Sequence, residues 1–118
     1  MPRSMNDIMH PGSEPDAGFP HAPEGWSRAS AERIAEAENL ALTDDHWQVI
    51  RALQKIFDRD PEVSVRTIHD AFDEHFHASG GMRYLYRILP GGPVAQGCRL
   101  AGLKAPAGSV DASFGSVQ

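Results

Sequence analysis

One segment fixes most of what this chain can become. Trp47, Val49, Ile50, Leu53, Ile56 and Phe57 recur at helical period over a broad apolar face, and a helix so wide in its apolar coverage has to be buried against more than one neighbour. Thr43 stands at its N-cap, and Asp44 and Asp45 fill the first turn, where the positive end of the helix dipole favours carboxylates. Leu42 and Trp47 have the spacing of a hydrophobic staple. Asp60-Pro61 ends the segment, because a residue preceding proline is pushed out of the helical region.

The flanking segments follow the same logic. Ser30 caps a helix through about Asn39, with Ile34 and several alanines as its inner face. Ser64 caps the helix after Pro61, where Val63 and Ile68 repeat the staple and Val65, Ile68, Phe72 and Phe76 fall on one side. Gly80-Gly81 stops it. Met82 to Leu89 reads as a short helix closed by Pro90, and Pro93 suits the first position of another. No segment alternates with period two. The pattern predicts a mainly α fold, a small orthogonal helical bundle of about five helices over residues 26–102. It is flanked by an irregular, Pro- and Gly-rich N-terminal arm (1–25) and a flexible C-terminal arm (103–118).

Bulk properties narrow the function classes. A chain of 118 residues makes one domain. No apolar run approaches the roughly 20 residues that cross a bilayer, and Met1-Pro2-Arg3-Ser4-Met5 leads into no apolar stretch, so a cytoplasmic protein is expected. A net charge of −5 argues against broad adhesion to nucleic acid or anionic membrane. The single cysteine excludes an internal disulfide and fits a reducing compartment, where it either fills space or reacts.

That cysteine lies in the segment from Arg83 to Leu103, which contains Gln96-Gly97-Cys98-Arg99-Leu100-Ala101-Gly102 and runs on into Pro106-Ala107-Gly108-Ser109-Val110. This stretch, together with Leu42-Thr43-Asp44-Asp45-His46-Trp47-Gln48-Val49-Ile50, resembles the DsrC/TusE family of small sulfur-relay proteins, also described as the gamma subunit of dissimilatory sulfite reductase. The resemblance implies a helical bundle with a small hairpin near its N-terminus. It also implies a substrate-like carrier of persulfide sulfur, not a self-sufficient enzyme, with no cofactor. The implied partners are sulfur-transfer proteins of the Tus or Dsr type or a sulfite reductase-like enzyme, and the implied roles include passing sulfur toward tRNA 2-thiolation. Full-length members carry one cysteine at the position of Cys98 and a second, the sulfur carrier, at the position of Ser109. A serine hydroxyl cannot form a persulfide or exchange with a thiol, so the two-cysteine cycle cannot run in this chain.

Within this frame Cys98 has two readings: an inert packed thiol, or a nucleophile whose pKa is lowered by a nearby helix start and by Arg99. Arg83, Tyr84, Tyr86 and Arg87 read either as a short amphipathic helix with aromatic stems turned inward or, through the resemblance, as a basic docking surface shared with Arg99 for a persulfide, sulfite or partner carboxylate. Those two can hold together. His69, Asp73 and His77 share a helical stripe, but two turns separate the histidines, so a solvated face is expected and no metal. The helices at Thr43 to Asp58 and Ser64 to Ala78 also suggest a helix-turn-helix. The second carries Asp70, Asp73 and Glu74 against a single Arg66, which phosphates would penalise. The alternative to a carrier is an adaptor or regulatory paralogue that binds the same partners, or less plausibly DNA, without moving sulfur.

Overall fold

Local capping chemistry sets the first helix. The computed structural model describes residues 18–106, and here Ser27, not Ser30, is the N-cap of α1, Arg28–Ala37. Ser27 Oγ accepts from the Ser30 amide at 3.1 Å while Ser30 Oγ accepts from the Ser27 amide at 3.0 Å. Ser30 thus serves as the far half of a capping box, which satisfies two orphan N–H groups at once and starts the helix earlier than a cap at Ser30 alone would. The helix ends before Asn39, whose φ of 58° is one that Asn tolerates better than most residues.

Helix α2, Asp44–Arg59, begins at Thr43 as its sequence demands. Ser64 caps α3, Val65–His75, by accepting from the Thr67 amide at 3.1 Å. A 3₁₀ turn over His77–Ser79 follows, then α4, Gly81–Ile88, and α5, Pro93–Ala101, with Pro93 at the first turn. Five α-helices and no strand make up the described residues, so the fold is mainly α as the periodicity implied. The hairpin implied by the family resemblance finds no strand among these residues, and residues 1–17 lie outside them.

The apolar stripes meet in one core that includes Ile50, Leu53, Ile68, Phe72, Leu85 and Leu100. Residues 18–27 carry no helix yet are anchored to the core by two aromatics, with Phe19 fully buried and its ring 4.9 Å from that of Trp26. The guanidinium groups of Arg28 and Arg51 each lie 4.8 Å from the Phe19 ring centre, so two cations cover an aromatic that the helices alone leave open.

Helix α2 carries the widest apolar face, but α5 is the hub, packing against each of the other four helices. The approach of α2 to α5 depends on Gly97, where a Cβ would stand 2.7 Å from Leu53 Cδ1 and 3.3 Å from Val49 Cγ1. Both neighbours are buried and have no room to retreat. Gly97→Ala gains about 1 kcal/mol in helix propensity and loses about 1–3 kcal/mol to overpacking. A net loss of about 1 kcal/mol is expected in urea unfolding, and a more stable variant would contradict this packing.

Candidate functional site

All residues of α5 except Arg99 are buried, which creates an accounting problem at its C-terminus. The last four carbonyls of a helix have no partner within it, and here they cannot all reach water. Each is met by a specific donor. The Leu103 amide donates to Cys98 O at 2.8 Å, and the Gly102 amide to Arg99 O at 3.4 Å. The Trp26 indole donates to Leu100 O at 2.8 Å, and the Gln54 amide group to Ala101 O at 3.0 Å. Gly102, at φ 78° and ψ 24°, supplies the left-handed residue that lets the first two bonds form, the arrangement of a Schellman turn.

Cys98 sits inside this arrangement with no exposed surface. Burial pushes its thiol from an ordinary 9.0 up to about 12, because a low-dielectric setting disfavours the thiolate. Of the two readings of Cys98, the one in which a nearby helix start and Arg99 lower its pKa therefore does not hold. Cys98 is the sixth residue of α5, well past the first turn in which the dipole favours an anion. The Arg99 charge is also committed elsewhere: its Nε donates to Glu38 Oε2 at 2.8 Å and its Nη2 to Glu38 Oε1 at 3.0 Å.

This bidentate pair belongs to a wider clasp. Gln96 Nε2 donates to Glu38 Oε1 at 2.7 Å, and Gln96 Oε1 accepts from the Gly91 amide at 2.9 Å. One carboxylate at the end of α1 thereby holds α5 and, through Gln96, the turn that precedes it. The hydrogen bond from Arg99 is the main reason the Glu38 carboxyl is held below its usual range, against the opposing effect of burial. The same bond raises the Arg99 guanidinium.

The remaining candidates divide between structural ties and exposed charge. Tyr84 donates its hydroxyl to Asp45 Oδ2, a bond that also raises the Tyr84 pKa, so this ring ties α4 to the start of α2. Arg83 and Arg87 are exposed on α4, as is Tyr86 at 44%. Ser109 lies outside the described residues. In the His69, Asp73, His77 stripe, Asp73 Oδ1 accepts from the Met82 amide at 2.9 Å and so caps the start of α4.

Sequence reasoning missed four residues that hold the site: Trp26, Glu38, His46 and Gln54. His46 Nδ1 accepts from the Thr43 amide at 2.9 Å, which places the proton on Nε2, 2.6 Å from Ile88 O. This buried imidazole thus fills the third position of the α2 cap and fastens the end of α4. The available signal was a polar residue at a position where the apolar period calls for burial, as with His46 and Gln54 in α2 and Gln96 in α5.

A helix buried on nearly every side, carrying one covered thiol and clasped by a distant carboxylate, defines a small helical protein built around a buried cysteine. The DsrC like protein family matches residues 13–110. The sulfurtransferase TusE of Pectobacterium atrosepticum is 35% identical over 83 residues, covering 69% of this chain and 76% of that protein. The TusE of Sodalis glossinidius is 38% identical over 88 residues, covering 70% and 79%. The NMR structure of Allochromatium vinosum DsrC superposes with a TM-score of 0.62 at 30% identity, covering 86% of this chain and 87% of that one. The chain belongs to the DsrC-like family.

Two measurements check the site. A thiol raised from 9.0 to about 12 should be alkylated by iodoacetamide roughly a thousandfold more slowly than free cysteine from its thiolate fraction alone, and unfolding in urea should restore the free rate. A rate near that of free cysteine in the folded protein would refute the burial. The Glu38 carboxyl is depressed in the folded state, so its stabilisation is complete above the ordinary value of 4.5 and is lost as pH falls through the lower folded value. Glu38→Gln should therefore cost about 1 kcal/mol at neutral pH, and the difference from wild type should shrink in acid.

Proposed function

We propose that the protein is a cytoplasmic accessory component of a sulfur relay, with Cys98 as the residue that can accept sulfur. The observation that carries this reading is the family match over residues 13–110, which spans the segment around Cys98. Relatives in that family are named sulfurtransferase TusE. The chemistry available to one thiol is intermolecular. The Cys98 sulfur attacks the terminal sulfur of a donor persulfide, the donor S–S bond breaks, and its electron pair leaves on the donor thiolate. That thiolate takes up the proton Cys98 gives up, and no external oxidant is consumed.

Such a transfer is conditional on access, because the closed helix holds Cys98 neutral and covered. Docking supplies the condition. Arg83, Tyr84 and Arg87 on α4 and Arg99 on α5 form the surface we assign to partner recognition. An anionic group on the partner that competes with Glu38 for Arg99 weakens the clasp at the same moment as it binds. The partners proposed are sulfur-transfer proteins of the Tus or Dsr type, or a sulfite reductase-like enzyme. Ser109 at the arm position leaves no second acceptor, so cargo reaching Cys98 must leave to a partner and not to the arm.

The complete burial of Cys98 favours one second reading, an adaptor that docks to relay partners without taking sulfur. Intact-mass measurement after incubation with cysteine persulfide separates the two. The relay reading expects a gain of one sulfur atom, absent in Cys98→Ser and faster in Arg99→Ala, where the clasp is cut. If no adduct forms in the wild type or in Arg99→Ala, with both folded by circular dichroism, the relay reading fails and the adaptor stands.

A further inference from the structure

The face of α2 that does not pack on α5 forms, with α3, a groove of about 380 Å³. Its floor is apolar, with Ala52 and Ile56 on α2 and Ala71 and Phe72 on α3. Its rim on α2 is formed by Arg51, Lys55 and Arg59, spaced four residues apart on one helical stripe, and the lining contains no carboxylate. In a chain of net charge −5 this is a pronounced local segregation. Arg51 is fixed by its Nε bond to Gly18 O at 2.7 Å and by its stacking on Phe19. Lys55 and Arg59 make no ion pair among the described residues. Neighbouring acids are turned to other work: Asp58 lies 2.9 Å from His21, and Asp73 caps α4. At one end His75 Nε2, on α3, stands 3.3 Å from Gln48 Oε1 on α2 and bridges the two walls.

We propose that the groove between α2 and α3 receives an acidic amphipathic helix of a partner protein, its carboxylates on Arg51, Lys55 and Arg59 and its apolar side chains against Ile56 and Ala71. The geometry favours a helix over a small anion. Three cations at four-residue spacing extend over about 12 Å, which matches glutamates at the same spacing on an opposed helix, while the floor rewards apolar side chains that a simple anion lacks. Duplex DNA fits less well, because Asp70 and Glu74 stand exposed on α3 and would meet its phosphates. The groove makes no use of the thiol, so this inference and the sulfur reading stand or fall separately.

The test is an amide-resolved NMR titration of the whole chain with a designed helical peptide of about four turns, carrying Glu at every fourth residue and Leu on the adjoining stripe. A Gln-for-Glu version and a short DNA duplex serve as comparisons. Binding of the Glu peptide should shift amides of α2 and α3 around the groove. It should weaken with salt and fall by about tenfold or more in the Lys55→Glu, Arg59→Glu double variant. Both substitutions are on exposed positions, and circular dichroism confirms that the variant folds. Equal binding of the Gln peptide, shifts confined to α4, tighter binding of the duplex, or no shift at millimolar peptide would each overturn the proposal.

Discussion

A nine-residue helix buried on nearly every side is the constraint around which the molecule is organised. Burial contributes apolar area from residues such as Val94 and Leu100, yet it also strands backbone carbonyls where water cannot serve them, at a cost of about 1–3 kcal/mol for each one left unmet. The protein meets that demand with donors from three separate places: the turn after the helix, Gln54 of α2, and Trp26 of the segment ahead of α1. Trp26 is in turn positioned by Phe19, and Phe19 by the cations above it. The irregular segment before α1 is therefore a working part of the bundle. Gln54 gives its amide protons to this task and leaves its Oε1 buried without a partner, so even this arrangement is not free of cost.

The same burial decides the state of the thiol. Arg99 is adjacent to Cys98 in sequence, and adjacency suggested a cation lowering a pKa. In the helix, successive side chains point about 100° apart, so Arg99, the one residue of its helix that is not buried, pairs with Glu38 while Cys98 faces the core. Desolvation is unopposed there, and the thiol is held protonated. Under the relay reading proposed above, closure around Cys98 leaves its chemistry to whatever protein docks.

Much of the fold was legible because its instructions are local. Thr43 and Ser64 as caps, Pro61 and Pro90 as stops, Pro93 as a starter and the period of the α2 and α3 stripes each act within a turn or two, and all of them appear in the structure. Ser27 was passed over because Ser30 is also a good cap, and only the reciprocal bonding of the two distinguishes them. The clasp was illegible for a different reason. Glu38 lies 58 residues from Gln96 and 61 from Arg99, and nothing in its neighbourhood marks it as more than a surface acid after a helix. Gln96 and Gln54 did carry a signal, since a polar side chain in an otherwise apolar stripe must find a partner, but the identity of that partner is a tertiary fact. The hub role of α5 was hidden by its small residues. A helix rich in Gly and Ala looks unremarkable by hydrophobicity, although small side chains are what allow so many neighbours to approach.

These magnitudes also indicate how Cys98 can be reached. Cutting the Glu38–Arg99 pair removes about 1 kcal/mol from a partly exposed contact; it lowers the cost of opening α5 without itself uncovering Cys98, which lies in the core. Lifting α5 away from α1 and α2 exposes several large apolar side chains at about 1.5–3 kcal/mol each, which is comparable to the whole stability of a small domain. Peeling back the Schellman turn is cheaper. Gly102 and Lys104 are exposed, Leu103, Ala105 and Pro106 are only partly buried, and the bonds surrendered, chiefly Leu103 N–H to Cys98 O, pass to water at about 0.5–1.5 kcal/mol each. The least costly opening of α5 therefore begins at its C-terminal turn, where the Leu103 amide holds the Cys98 carbonyl.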